Sequence, residues 1–206
     1  LDAEGEIEDM AVDYQAPEEY LVGMSMFVIA REKLIEIIRE SVPHGKYHLE
    51  RDFLLPEYNE GRLKIHVYPF HNVVMFNDST LEYYRNSMRL LDEEVRHGLY
   101  RSEVPIYTKV RDAVPTLYGE NGRTPNCLVA DGCHLFGYAE NSIIFREVEI
   151  EEGAEVRDCV VMQGSKIGAG ASIQYAILDK NVTIRPGVRL LGTPDHPLII
   201  NKGAIV

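Results

Sequence analysis

From Ile144 to Leu191 the chain reads IFREVEIEEGAEVRDCVVMQGSKIGAGASIQYAILDKNVTIRPGVRLL, and aliphatic residues return through it at roughly six-residue intervals. One set comprises Ile144, Ile150, Val156, Met162, Ile167, Ile173, Leu178, Ile184 and Leu190. A second set, four positions further on, comprises Val148, Ala154, Val160, Ala171, Ile177, Val182 and Val188, all small or β-branched. Gly153, Gly168, Gly170 and Gly187 punctuate the pattern. Neither the 3.6-residue period of a helix nor the two-residue alternation of a strand produces this beat. A triangular coil does: each six-residue unit forms one flat side, turns at a glycine or small polar residue, and points its aliphatic residue into a shared column. The spacing is also tighter and more regular than the strand spacing of an ordinary β-sandwich. One coil cannot hide its column from water, so several must stack, and the repeat leaves room for about four. The interval from Met162 to Ile167 is one residue short, and Asn141 interrupts the beat upstream, where Val129 and Leu135 keep it. Both irregularities are expected at corners.

The remaining composition sets the context. The 206 residues are 45% hydrophobic and 26% charged, which describes a globular chain rather than a disordered one. No apolar run approaches the ~18 residues of a membrane helix, and no basic-then-apolar leader opens the sequence. A soluble cytoplasmic protein is expected. The chain starts on Leu1 inside an acidic stretch, which reads as a fragment whose N-terminal part is absent. Cys127, Cys133 and Cys159 form no CxxC pair, so neither a disulfide framework nor a zinc site is indicated. A net charge of -12 argues against nucleic acid as a partner, because phosphate backbones require a basic face.

Upstream of the repeat the pattern is mixed α/β. The apolar run LVGMSMFVIA, Leu21 to Ala30, reads as a strand covered on both faces, which a missing half of the protein would be expected to shield. Arg31 to Ser41 carries Leu34, Ile35, Ile37 and Ile38 at helical spacing and stops before Pro43. A short helix ending at Pro56 is expected within His48 to Glu57, followed by strands at Leu63 to Phe70 and Val73 to Phe76. Asp78 or Ser79 then caps a helix running to about Arg96, with Glu82 completing a capping box and Leu81, Tyr84, Met88, Leu91 and Val95 buried. Pro105 to Gly119 has no helical period. The predicted architecture is a fragment of a larger α/β domain over residues 1–100, a linker over 101–125 and a parallel β-helix over 126–206.

These features together resemble a known family. The order strand, helix, strand pair, Tyr-containing helix, PIYT segment and hexapeptide coil is similar to the C-terminal half of bacterial glucose-1-phosphate adenylyltransferases, over essentially the whole chain. PIYTKVRDAVPT from Pro105 to Thr116, LVADGC from Leu128 to Cys133, NSIIFR from Asn141 to Arg146 and DKNVTIR from Asp179 to Arg185 resemble the GlgD-type subunit of that family. The resemblance implies an α/β fragment of a nucleotidyltransferase (Rossmann-like) domain, a left-handed parallel β-helix of hexapeptide repeats and a place in glycogen synthesis. Catalytic members join ATP and glucose 1-phosphate to give ADP-glucose and pyrophosphate with magnesium. The family's glycine-rich ATP loop lies outside this stretch, so no cofactor is expected on this fragment.

Three departures from the catalytic pattern accompany the resemblance. Where catalytic members carry F-x-E-K-P, whose lysine holds the sugar phosphate, this chain aligns Met10, Ala11, Val12 and Asp13. At a separation of ~4 Å an anion there repels phosphate by about 1 to 4 kcal/mol, where a lysine attracts it. The sugar-contacting serine of A-S-M-G-I-Y-V-F is missing from Val22 to Ile29, unless Ser25 substitutes for it one step out of register. The metal-binding aspartate of Y-W-x-D-x-G-T falls at Phe76 or Asn77, with Asp78 expected to serve the helix cap instead. Because nucleotidyl transfer rests on positioning and charge neutralisation, these losses imply a retired active site. The expected role is a regulatory subunit that assembles, as a homo- or hetero-oligomer, with a catalytic glucose-1-phosphate adenylyltransferase subunit.

Other functional residues are fewer. Lys109, Arg111 and Arg123 lie in or near the linker, where family members bind anionic effectors, and a cation cluster there would suit a phosphate. His134, inside the repeat, is where a β-helix acyltransferase would place a general base, although no lysine-lined coenzyme A cleft accompanies it. The other histidines show no metal-ligand spacing. An active sugar-nucleotide transferase when full length, and a hexapeptide-repeat acyltransferase or scaffold, are the competing functions.

Overall fold

The hexapeptide stretch folds as a parallel β-helix of about four coils. In the computed structural model, which describes residues 7–13, 20–109 and 112–206, its strands are β1 (Leu117–Tyr118), β2 (Leu128–Val129), β3 (His134–Leu135), β4 (Tyr138–Glu140), β5 (Ile143–Ile144), β6 (Glu149–Ile150), β7 (Glu155–Val161), β8 (Lys166–Ile167), β9 (Ser172–Leu178), β10 (Thr183–Ile184), β11 (Arg189–Leu191) and β12 (Leu198–Ile200). They stack as three parallel faces. The first face is β1, β3, β6, β8 and β10 in order. The second is β4, the first half of β7, the first half of β9, and β11. The third is β2, β5, the second half of β7, the second half of β9, and β12. Every ladder among them is parallel, as expected when each strand pairs with its counterpart one coil away.

The column inside this prism is apolar. Leu135, Ile144, Ile150, Val156, Ile167, Ile173, Leu178 and Ile184 are all at most 1% exposed and form one cluster with Val148, Ala154, Ala171 and Val182. Leu190 and Val188 pack against its lower end. Ile150, Ile167 and Ile184 are direct register partners, so a coil here takes 17 residues, one fewer than three hexapeptides.

The missing residue explains where the sequence pattern misplaces side chains. Val161 fills the column slot assigned to Met162, and Met162 instead lies half-buried on the outer surface. Val160 and Ile177 also point outward, while Cys159 and Ala176 face the core. Each of these sides begins after a non-glycine residue with left-handed backbone: Asn141 (φ 47°), Asp158 (φ 51°) and Tyr175 (φ 52°). Turning within a single residue shortens the side by one position and shifts its in-out alternation. Asn141, which interrupts the beat, is the first of these corners. The buried corner hydroxyls are satisfied. Ser142 Oγ donates to the Glu140 carbonyl at 2.7 Å and accepts from the Cys159 N–H at 3.1 Å, and Ser165 Oγ donates to the Asp179 carbonyl at 3.0 Å.

The outward apolar row on the third face carries a helix. Contacts divide the chain into Leu1–His71 and Asn72–Val206, and the second unit contains both the β-helix and the helices before it. Four α-helices are described along the chain: α1 (Arg31–Ser41), α2 (Leu55–Asn59), α3 (Thr80–Arg89) and α4 (Glu93–Leu99). Tyr84 of α3 packs on Ile143, Val160 and Ile177, with Tyr83, Met88, Leu91, Leu128, Met162 and Tyr175 around them. Burying each of these aliphatic side chains stabilises by about 1.5–3 kcal/mol at most. The single helix expected to reach Arg96 is two helices. Asp92 accepts from the Glu94 N–H at 2.8 Å and so starts a new one, while Arg96 donates to the Leu90 and Leu91 carbonyls that end α3, at 2.8 and 2.7 Å.

In the unit Leu1–His71, α1 forms over the expected residues and buries Ile37. The expected short helix is a π-helical turn, Glu50–Leu54, leading into α2, which does not end at Pro56 but runs through it to Asn59, because a proline in the first turn of a helix is tolerated. The three strands predicted upstream are corrected. Leu21 to Ala30, Leu63 to Phe70 and Val73 to Phe76 contain no strand, and Leu21, Val22, Met26 and Val28 are exposed. Strand-forming side chains make a strand only where a neighbouring backbone completes the ladder, and these segments have none among the described residues. No helix among the described residues is long and apolar enough to cross a membrane.

Candidate functional site

The segment entering α3 carries the positions where a family metal site is expected. Ser79 is the N-cap, and its Oγ accepts from the Glu82 N–H at 3.1 Å. The Glu82 carboxylate reaches back to accept from the Asp78 N–H at 3.0 Å, one residue before the cap. The capping box therefore forms with its return bond shifted by one residue. Asn86, one turn further along α3, donates through Nδ2 to the Phe76 carbonyl at 2.5 Å and to Asn77 Oδ1 at 3.1 Å. Asn77, Asp78, Ser79, Thr80, Tyr83 and Met162 line an open depression of about 500 Å³.

This donor set does not fit a catalytic magnesium. Hard divalent cations are held by carboxylate oxygens. The two positions that align with the expected aspartate hold a phenyl ring and an amide, and the amide oxygen of Asn77 is already engaged by Asn86. Asp78 does not cap the helix as expected: Ser79 does, and Asp78 joins only by donating its N–H to Glu82, so the depression is left with a single carboxylate at its rim. Among the described residues no group of three or more His, Cys, Asp or Glu side chains is placed to hold a metal ion. Asn86 carries no sequence signal for this role, since its contact lies ten residues back along the chain.

Comparison with known proteins matches both parts of the molecule. The profile of the GlmU-like, C-terminal hexapeptide family matches residues 112–195. The glycogen biosynthesis protein GlgD of Bacillus subtilis (strain 168) is 36% identical over 149 residues, covering 72% of this chain and 43% of the relative. The chain belongs to the GlgD and glucose-1-phosphate adenylyltransferase family. The GlgD protein of Geobacillus stearothermophilus is likewise 36% identical, over 183 residues, covering 89% of this chain and 52% of the relative. A glucose-1-phosphate adenylyltransferase of Corynebacterium jeikeium (strain K411) is 27% identical over 209 residues, covering 92% and 51%. The chain spans about half the length of the curated relatives it matches.

Asp13 and Ser25 both adopt left-handed backbone, at φ 56° and 50°, and belong to the unit Leu1–His71. Lys109 is exposed, and Arg111 lies outside the described residues. Arg123 is tied into its own turn, its Nη1 donating to the carbonyls of Glu120 at 2.9 Å and Gly122 at 2.8 Å, while its backbone bridges to Tyr138. His134 is exposed on β3, with Glu149 as its register partner. Of the thiols, Cys133 and Cys159 are buried and Cys127 is half-buried. Burial pushes the Cys159 thiol up to about 12, which makes it inert as a nucleophile near neutral pH.

Proposed function

We propose that this chain is the C-terminal half of a non-catalytic regulatory subunit in glycogen biosynthesis, assembled in the cytoplasm with a catalytic glucose-1-phosphate adenylyltransferase subunit. The observation that carries the proposal is the occupancy of the metal-carboxylate position by Phe76 and Asn77, with Asn77 committed to Asn86. Asp13, at the place of the sugar-phosphate lysine, acts in the same direction: it repels the substrate phosphate that a cation would hold. In this reading residues 1–100 descend from a nucleotidyltransferase domain, and the linker that starts at 101 ends before β1, since Leu117–Tyr118 already pairs into the first face of the coil. Lys109, Arg111 and Arg123 are the proposed contacts for an anionic effector. ATP and magnesium belong to the catalytic partner, which forms ADP-glucose and pyrophosphate from ATP and glucose 1-phosphate.

The test is kinetic. The full-length protein is assayed alone for pyrophosphate release from ATP and glucose 1-phosphate, then co-expressed with a catalytic homologue and assayed as the complex. No turnover alone, together with a changed kcat, KM or effector response in the complex, is the expected result. Turnover by the isolated protein at the rate of a catalytic member overturns the proposal, and so does failure of the two chains to associate. Restoring an aspartate with Asn77→Asp is expected to leave the isolated protein inactive, because the sugar-phosphate lysine is still missing.

A further inference from the structure

Three consecutive residues of α3 hold three separate parts of the unit Asn72–Val206. Tyr84 Oη donates to the Asp158 carbonyl at 2.7 Å, at one of the left-handed corners of the coil. The Arg85 guanidinium pairs with Asp195 at 2.6 Å, in the loop between β11 and β12. Asn86 holds the Phe76 carbonyl and the Asn77 side chain. Successive residues on a helix project about 100° apart, so one turn can reach three directions, and a rigid helix cannot move for one contact without moving for the others. The depression at the start of α3 is built the same way: its helical wall is Ser79, Thr80 and Tyr83, and Met162 of the coil, part of the cluster beneath α3, also lines it.

We propose that α3 is a coupling element in which Tyr84, Arg85 and Asn86 act as positioning residues, tying the order of the Phe76–Thr80 rim to the Asp158 corner and the Thr193–His196 loop. Tyr84 supplies the buried anchor. It is 4% exposed, and burial, reinforced by Cys159, Asp158 and Tyr175 nearby, raises its phenol above the usual range so that it stays a donor. Arg85 supplies the solvent-facing arm, with Arg85 and Asp195 side chains 54% and 71% exposed. Linkage makes the coupling reciprocal: whatever orders the loop orders the rim, and a ligand or partner seated at the rim protects the loop. All of these contacts lie inside Asn72–Val206.

Amide hydrogen exchange on the full chain tests it, reading the Asp78 amide and its neighbours at the rim, the Thr193–His196 loop, and β9 as a control for the coil. Asn86→Ala is expected to speed rim exchange several-fold and leave β9 unchanged. Tyr84→Phe, which keeps the ring and removes one buried hydrogen bond, is expected to speed exchange in both α3 and the rim by about five-fold. Asp195→Ala is the decisive variant, since Asp195 pairs with Arg85 and shares no hydrogen bond or ion pair with the rim among the described residues: about a two- to five-fold rise at Asp78 is expected, with no further rise in the Arg85→Ala/Asp195→Ala double variant. Rim exchange equal to the parent's in Asp195→Ala, with β9 still protected, overturns the proposal. If Tyr84→Phe also exposes β9, the Asp195→Ala result decides.

Discussion

Val161 and Met162 are adjacent, apolar and indistinguishable by the six-residue beat, yet the structure gives them opposite sides of the coil wall, and replacing each by asparagine separates them. Val161 is fully buried in the column between its register partners Ile144 and Leu178. Val161→Asn forfeits about 1.5–3 kcal/mol of aliphatic burial and leaves an amide without partners, at a further cost of about 1–3 kcal/mol. The expected loss is about 3–5 kcal/mol, a large part of a domain's ordinary stability. Met162 is half-buried at the edge of the open depression, where an amide reaches water. Met162→Asn is expected to cost about 1 kcal/mol, mainly lost packing against the cluster under α3. In thermal unfolding followed by circular dichroism, Val161→Asn should lower Tm by about 10 °C or more and Met162→Asn by about 3 °C. Urea unfolding should show the same order with similar m values. The 17-residue register is wrong if Met162→Asn is the more damaging of the two.

Two further outcomes follow from the buried phenol and thiols and from the helix cap. An unfolded thiol releases its proton near pH 8.5, whereas Cys159 in the fold holds it to about 12, and Cys133 and Tyr84 are shifted upward by burial as well. Above about pH 8.5 the unfolded chain therefore binds fewer protons than the folded one, so stability should fall steadily with rising pH, and Cys159→Ala should flatten the slope of a urea midpoint series between pH 8 and 11. Ser79→Ala removes the acceptor for the Glu82 N–H and is expected to destabilise by about 1 kcal/mol, seen as a Tm drop of a few degrees, with Ser79→Asp restoring the parent value.

The coil and one cap were legible because their signals are local. Seven of the nine aliphatic positions named for the column sit inside it, fully buried, and the Ser79–Glu82 spacing forms the bond it predicts. Met162 failed because five- and six-residue sides look alike in a run such as Val160-Val161-Met162. Asp158, which shortens the side by turning in a left-handed conformation, is not a glycine and gives no warning. The strands expected at Leu21 to Ala30 and Leu63 to Phe70 failed for another reason, since a ladder needs a second backbone that no local pattern supplies. At the candidate site the losses at Phe76 and Asn77 could be read by alignment to the family motif. The grip of Asn86 on both residues, and the carbonyl anchoring of Arg123, could not, because they depend on where side chains arrive after the chain has turned.

By itself the sequence determined that a parallel coil forms and which class of residue lines it, because a repeated six-residue burial pattern has few other ways to hide its aliphatic side chains from water. It also carried the family motifs and their substitutions. Only the tertiary structure decided which of two neighbouring apolar residues faces inward, since that depends on the backbone angle at a single corner. The same is true of the row Ile143, Val160 and Ile177, which needed a cover once it pointed outward, and of α3, which supplies that cover by docking residues more than fifty positions away in the chain.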